Sequence, residues 1–152
     1  MKFVTDINLG KLAKWLRILG YDTIFFRGDI SCAIPWAEKE GRLILTRRRK
    51  LLSSYKNLIL IESDKLRAQV REVIEKLSLP LNPEKFFRRC VVCNKELFPV
   101  YKETIKDEVP LYVWETQEAF YRCPLCQRIF WSGTHKEQME AFIRSHIHSP
   151  HP

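Results

Sequence analysis

Leu9, Leu12, Ala13, Leu16 and Leu19 recur at helical spacing just after a short apolar run, Phe3-Val4. Residues 2–23 therefore read as a buried strand, a helix entered at Asn8 and closed by Gly20, and the opening of a second strand. On the same helix Lys11, Lys14 and Arg17 fall on the flank away from the apolar stripe. Tyr21 to Phe26 completes strand two, and Arg27-Gly28-Asp29 turns the chain. Ser31 is placed to cap a further helix that holds Pro35 in its first turn and ends near Gly41. Leu43 to Leu45 forms a third strand and Leu58 to Ile61 a fourth, with a short helical piece around Leu51 and Leu52 between them. From Lys65 a helix carries Leu66, Val70, Val73, Ile74 and Leu77 on one face until Pro80 stops it. Strand and helix alternate four times, which predicts an α/β fold with a parallel sheet flanked by helices.

Pro80, Asn82 and Pro83 interrupt this rhythm, so the domain boundary is expected there, with residues 1–80 as one unit and 84–148 as another. Beyond it, short alternating runs (Leu97 to Tyr101, Tyr112 to Trp114, Phe120 to Tyr121) suggest hairpins, and Lys136 to Ile147 a closing helix. The sequence shows no low-complexity segment and is read as having no internal repeat.

Cys90-x-x-Cys93 and Cys123-x-x-Cys126 are separated by 29 residues. Each pair lets two thiolates converge on one ion from a tight turn, and two such turns complete a tetrahedral four-cysteine zinc site. The hairpin runs between the pairs are those of a zinc ribbon. Four thiolates leave no open position for water, so this zinc is structural, and a unit of this size needs the metal's binding free energy to fold. Cys32 has no partner at a ligand spacing and reads as a buried structural thiol rather than a nucleophile. His135 caps the last helix, contacts the other domain or touches RNA; the tail residues His146, His148 and His151 are assigned nothing.

Charge narrows the class of partner. The 152 residues carry a net +8, and residues 1–80 hold 16 Lys and Arg against 9 Asp and Glu, while 81–152 hold 10 against 9. A basic surface of this kind draws polyanions through counterion release, with nucleic acid as the leading partner and an anionic membrane surface as the weaker one. No apolar run reaches the length of a membrane helix and no signal-peptide pattern opens the chain, so a cytoplasmic protein with no membrane association is expected.

Four carboxylates follow strands. Asp6 follows strand one, where ligands bind in open α/β sheets, or else simply supports the helix start. Asp29 follows strand two and is in register with Asp6 if those strands are parallel neighbours. Glu62 and Asp64 follow strand four, where capping of the next helix competes with metal binding. The cation run Arg47, Arg48, Arg49, Lys50 is either a solvated loop or, at the carboxyl end of strand three, a phosphate contact.

FVTDINLGKLAKWLRILGYDT, GRLILTR, and the two CxxC pairs with WSGTH together resemble the Mut-seven C-terminal family, across the chain to about residue 140. That resemblance implies a PIN-like ribonuclease domain fused to a zinc ribbon, acting on RNA phosphodiesters with Mg²⁺ or Mn²⁺ held by acids at strand ends. It assigns Asp6 as the strand-one acid, Lys11 and Arg17 as basic positions of the first helix, and Cys90, Cys93, Cys123 and Cys126 as the zinc ligands. Asp29 is the second acid on physical grounds, and Lys14 joins the phosphate-holding cations. One departure stands out. The family's Thr-Arg-Asp-Arg stretch reads Thr46-Arg47-Arg48-Arg49 here, which puts a guanidinium where a metal-binding carboxylate is expected. A metal-dependent ribonuclease and a catalytically inactive RNA- or ribosome-binding module both follow.

Overall fold

The computed structural model describes residues 1–147. Strands β1 (Lys2–Thr5), β2 (Asp22–Phe25), β3 (Leu43–Thr46) and β4 (Leu58–Leu60) form a parallel sheet in the order β2-β1-β3-β4. Helices α1 (Gly10–Ile18), α2 (Ile34–Glu40) and α3 (Leu66–Leu77) alternate with them, as the periodicity predicts.

Alternation along the strands sets the two faces. Phe3 and Leu45 point into one core with Leu9, Leu12 and Leu16 around α1 and Val70, Val73 and Ile74 of α3. Val4 and Ile44 point into the other, with Ala37 of α2 and with Leu51 and Tyr55. Helix α2 ends at Gly41, whose φ of 68° closes the last turn without a Cβ penalty.

The second half builds a small antiparallel sheet, β5 (Phe98–Val100), β6 (Phe120–Arg122) and β7 (Ile129–Phe130), in that order. Tyr112 to Trp114, expected as a strand, lies instead in a short helix α4 (Leu111–Thr116). Pro110 fixes the backbone at its entry, and the amides of Val113 and Trp114 both donate to the Pro110 carbonyl. Among the described residues the ribbon fully buries only Ile105, Val113 and Phe120 as its own apolar cluster, with Val100, Val109, Trp114, Ile129 and Trp131 partly buried against it. Three side chains are too few to hold such a unit without a further constraint.

Helix α5 (His135–Ile147) does not pack on that cluster. Met139, Phe142 and Ile143, spaced for one helical face, join the core beside α1 and α3, and Phe142 meets Trp15 edge-on at 5.4 Å. The chain thus returns to its first half. Among the described residues no helix is long and apolar enough to cross a membrane.

Candidate functional site

In the order β2-β1-β3-β4 the chain reverses direction of progress between β1 and β3, and the crevice at their carboxyl ends is the expected ligand position. Asp6 sits there. It is only 4% exposed, and its amide donates to the Leu45 carbonyl, tying the end of β1 to β3. One carboxylate oxygen accepts the Ile7 amide at 2.7 Å, and the other accepts the Thr46 hydroxyl at 2.9 Å. Thr46 in turn accepts the Arg48 amide at 3.1 Å. Asp6 is therefore held in a fixed orientation by the residue that ends β3.

Asp29 is not in register with Asp6. Phe26 is the residue that bonds across to Thr5, and Asp29 lies three residues further, capping the 3₁₀ turn Ile30–Ala33. Its Oδ1 accepts the Ser31 amide at 3.0 Å and the Ser31 hydroxyl at 2.8 Å, so Asp29 rather than Ser31 is the capping residue. The same oxygen is 2.6 Å from an Arg48 guanidinium nitrogen. The Ser31 amide, its hydroxyl and then Arg48 hold the Asp29 carboxyl below the usual carboxylate range. Arg48 thus touches both acids' surroundings: its backbone reaches Thr46 beside Asp6, and its side chain caps Asp29.

Lys11 and Lys14 are exposed on α1, and Arg47, Arg49 and Lys50 are exposed just past β3. Arg49 pairs with Glu62 at 3.2 Å. Glu62 does not cap α3, which has no side-chain cap at Lys65; instead Glu72 accepts the amides of Glu62 and Ser63. Arg17 lies elsewhere. It is 9% exposed, its Nε donates to the Thr23 carbonyl at 2.9 Å, and its Nη1 donates to the Val91 carbonyl at 2.7 Å. Burial pulls this guanidinium below its ordinary range while the nearby Cys90 and Cys93 charges oppose that shift. The three helix cations therefore divide, with Lys11 and Lys14 at the surface and Arg17 inside the junction with the ribbon.

The cysteines form the second site. The ligand atoms of Cys90, Cys93, Cys123 and Cys126 all lie within 4.8 Å of one another, the arrangement of a four-thiolate metal centre. Among the described residues this is the one group of three or more Cys, His, Asp or Glu side chains so converged.

The two halves of the cluster are copies of each other. Asn94 and Gln127, each just after a second cysteine, take φ of 63° and 64°. Each donates its amide to the carbonyl of the first cysteine, and Cys90 and Cys123 donate to the carbonyls of Lys95 and Arg128. Arg89 and Arg122 each donate from Nη1 to the carbonyl of that left-handed residue, at 2.7 and 2.9 Å. Contrary to the expectation of no internal repeat, the sequence carries a short one, Arg-Cys-x-x-Cys-(Asn/Gln)-(Lys/Arg). The Arg128 amide holds the Cys126 thiol down to about 6, whereas burial and neighbouring thiols push Cys93 up to about 12.

The first of these turns is bonded into the sheet edge. The Thr23 amide donates to Asn94 Oδ1 at 3.0 Å, and Asn94 Nδ2 donates to Asp22 at 2.6 Å. Asp22 also accepts both Arg42 Nη atoms, at 2.9 and 3.2 Å. Arg17, Asn94 and Arg42 bind the cysteine turn, β2 and β3 into one buried polar network.

The sequence profile of the Mut7-C RNAse domain matches residues 1–143, which takes in the sheet, all four cysteines and most of α5. The chain belongs to the Mut7-C RNAse domain family. No curated protein and no solved structure matches it. Within this Mut7-C domain Cys32 is exposed, contrary to its reading as a buried thiol, because it lies on the solvent side of the turn that Asp29 caps. His135 begins α5, its amide bonded to the Ser132 carbonyl. His148 and His151 lie outside the described residues.

Proposed function

We propose that this Mut7-C domain holds RNA at the carboxyl ends of β1 and β3 without cutting it, in a ribonuclease fold whose metal seat is taken by Arg48. The observation that carries this reading is the Arg48–Asp29 pair at 2.6 Å. A guanidinium on Asp29, with no group of three or more carboxylates converged among the described residues, does not fit Mg²⁺ or Mn²⁺. The exposed cations Lys11, Lys14, Arg47, Arg49 and Lys50 supply phosphate contacts, which position a strand without reading bases. The four cysteines hold zinc in a structural role: tetrahedral Zn–S bonds of about 2.3 Å put the sulfurs about 3.8 Å apart, and Cys90 Sγ to Cys126 Sγ is 3.8 Å.

Fluorescence anisotropy of a labelled single-stranded RNA across a salt series tests the binding. Five phosphate contacts give a slope of log K against log salt of about −3.5, and each lysine removed lowers it by about 0.7. Lys11→Ala with Lys14→Ala leaving affinity and slope unchanged would remove the assignment.

A second reading is favoured by Asp6 itself, which is buried, fixed by Thr46 and placed at the switch point. Metal-dependent cleavage by Asp6 and Asp29 requires Arg48 to leave Asp29, and Mn²⁺-dependent products lost in Asp6→Asn would support it.

A further inference from the structure

At the end of the sheet away from Asp6, a cavity of about 500 Å³ opens between the amino ends of β1 and β2 and the first cysteine turn. Lys2 and Asp22 are register partners at the first positions of these strands. Lys2 stands four positions before Asp6, about 13 Å along the strand, so this is a second place on the molecule.

Its walls are brought together by close backbone approaches. Gly20 has φ of 100°, and a Cβ there would come within 2.9 Å of the Lys85 Cβ and carbonyl oxygen. Only glycine lets residue 85 lie directly against the turn after α1. Two residues later Phe87 donates its amide to the Ile18 carbonyl at 2.8 Å and takes φ of 60°, an uncommon conformation for a bulky side chain. Arg88 and Arg89 follow immediately and line the cavity.

Lys2, Lys85, Arg88 and Arg89 face two carboxylates, Asp22 and Glu96. Both carboxylates already have cations: Asp22 is held by Arg42, and Glu96 lies 3.5 Å from Arg89. Lys2 and Lys85 have no carboxylate partner among the described residues, and the Arg88 guanidinium stands 4.0 Å over the Tyr121 ring without an ion pair. Cations in surplus call for an anion with several acceptor oxygens, and planar guanidinium groups suit phosphoryl oxygens in particular. The volume falls in the range of small-molecule sites and accommodates one nucleotide.

We propose that this cavity binds a terminal phosphate, carried by a free mononucleotide or by the end of an RNA chain. A phosphomonoester bears more charge than the phosphodiesters along a strand, so several cations in one cavity favour a terminal group. The site is separate from the carboxyl-end cations and does not require them.

The test is calorimetric titration of the full, zinc-loaded chain with adenosine monophosphate and with inorganic phosphate at low salt. Lys85→Ala with Arg88→Ala is compared with Lys11→Ala plus Lys14→Ala. Saturable binding of the mononucleotide is expected, weakened at least tenfold by the first pair and unaffected by the second. Because Arg88 packs on Tyr121, Lys2→Glu with Lys85→Glu, both at exposed positions, gives the same readout without disturbing the ribbon. A short RNA displacing the mononucleotide only when 5′-phosphorylated identifies the chain end as the source. Failure of that RNA to compete identifies the free nucleotide. No saturable binding, or binding indifferent to both cavity pairs, overturns the proposal.

Discussion

Arg17 Nη1 lies 2.7 Å from the carbonyl oxygen of Val91, a residue held between two of the four clustered cysteines. Helix α1, which follows Asp6 in the chain, is thereby bonded to the turn that shapes the cysteine cluster. With Asn94 on Thr23 and Asp22, this contact makes the cysteine turn a part of the sheet edge rather than an appendage.

Truncating Arg17 takes this donor from the buried carbonyl of Thr23 and from the half-buried one of Val91. Arg17→Ala is expected to destabilise the protein by about 2–4 kcal/mol in urea unfolding, the range for losing charge-assisted bonds to buried groups. Arg17→Lys recovers little, since one ammonium cannot reproduce two diverging guanidinium bonds. A loss below about 0.5 kcal/mol for the alanine variant would show that the bridge carries no weight.

Removing the metal from the cysteines should be felt in the sheet. The Thr23 amide has Asn94 Oδ1 as its acceptor, and Asn94 follows Cys93 directly. Chelation is expected to raise hydrogen exchange at Thr23 together with the ribbon amides, while the Val4 amide in the centre of the sheet stays protected. Thr23 exchange unchanged after chelation contradicts the coupling.

Acid should weaken the same junction through Asp22. Burial alone would raise its carboxyl, but hydrogen bonds from Arg42 and Asn94 outweigh that and hold it below its ordinary value. Below about pH 4, where an unfolded Asp takes up its proton, the folded carboxylate is still charged, so its contribution is fully present above that pH and is lost as pH falls through the lower folded value. Asp22→Asn is expected to be less stable at neutral pH and to show a shallower loss below about pH 4 in thermal melts. Parallel acid limbs for the two proteins would exclude the pair.

Arg48→Asp removes the guanidinium from Asp29 and adds a third carboxylate beside Thr46. The variant is expected to bind Mn²⁺ in calorimetry where the parent gives no heat beyond the cysteine cluster. It is also expected to bind RNA more weakly in the absence of metal, because two units of charge are reversed at the rim. A variant indistinguishable from the parent in both measurements would mean that Arg48 does not occupy a metal seat.

The sheet was legible because Phe3-Val4, Leu43 to Leu45 and Leu58 to Ile61 are short apolar runs separated by helical periods, and buried parallel strands look like that. The cysteine cluster was legible from spacing alone. The role of Arg17 was not, although a trace of it is there: on a helical projection Arg17 falls about 40° from Ala13 and about 60° from Lys14, closer to the buried stripe than to the other cations. Asp29 misled because a carboxylate soon after a strand looks the same whether it is in register with its neighbour or three residues beyond. The destination of α5 was hidden for a different reason. Met139, Phe142 and Ile143 declare an apolar face but not which core receives it, and the first half of the chain leaves the space.

Product analysis tests the central claim most directly. The intact, zinc-loaded protein is incubated with end-labelled single-stranded RNA at low salt with Mn²⁺, and bound and cleaved RNA are measured in the same samples, with Asp6→Asn alongside. The expected result is salt-sensitive binding by both proteins and no product from either. Mn²⁺-dependent product from the parent that disappears in Asp6→Asn would contradict it, and would make the Arg48–Asp29 pair a resting contact of a working nuclease.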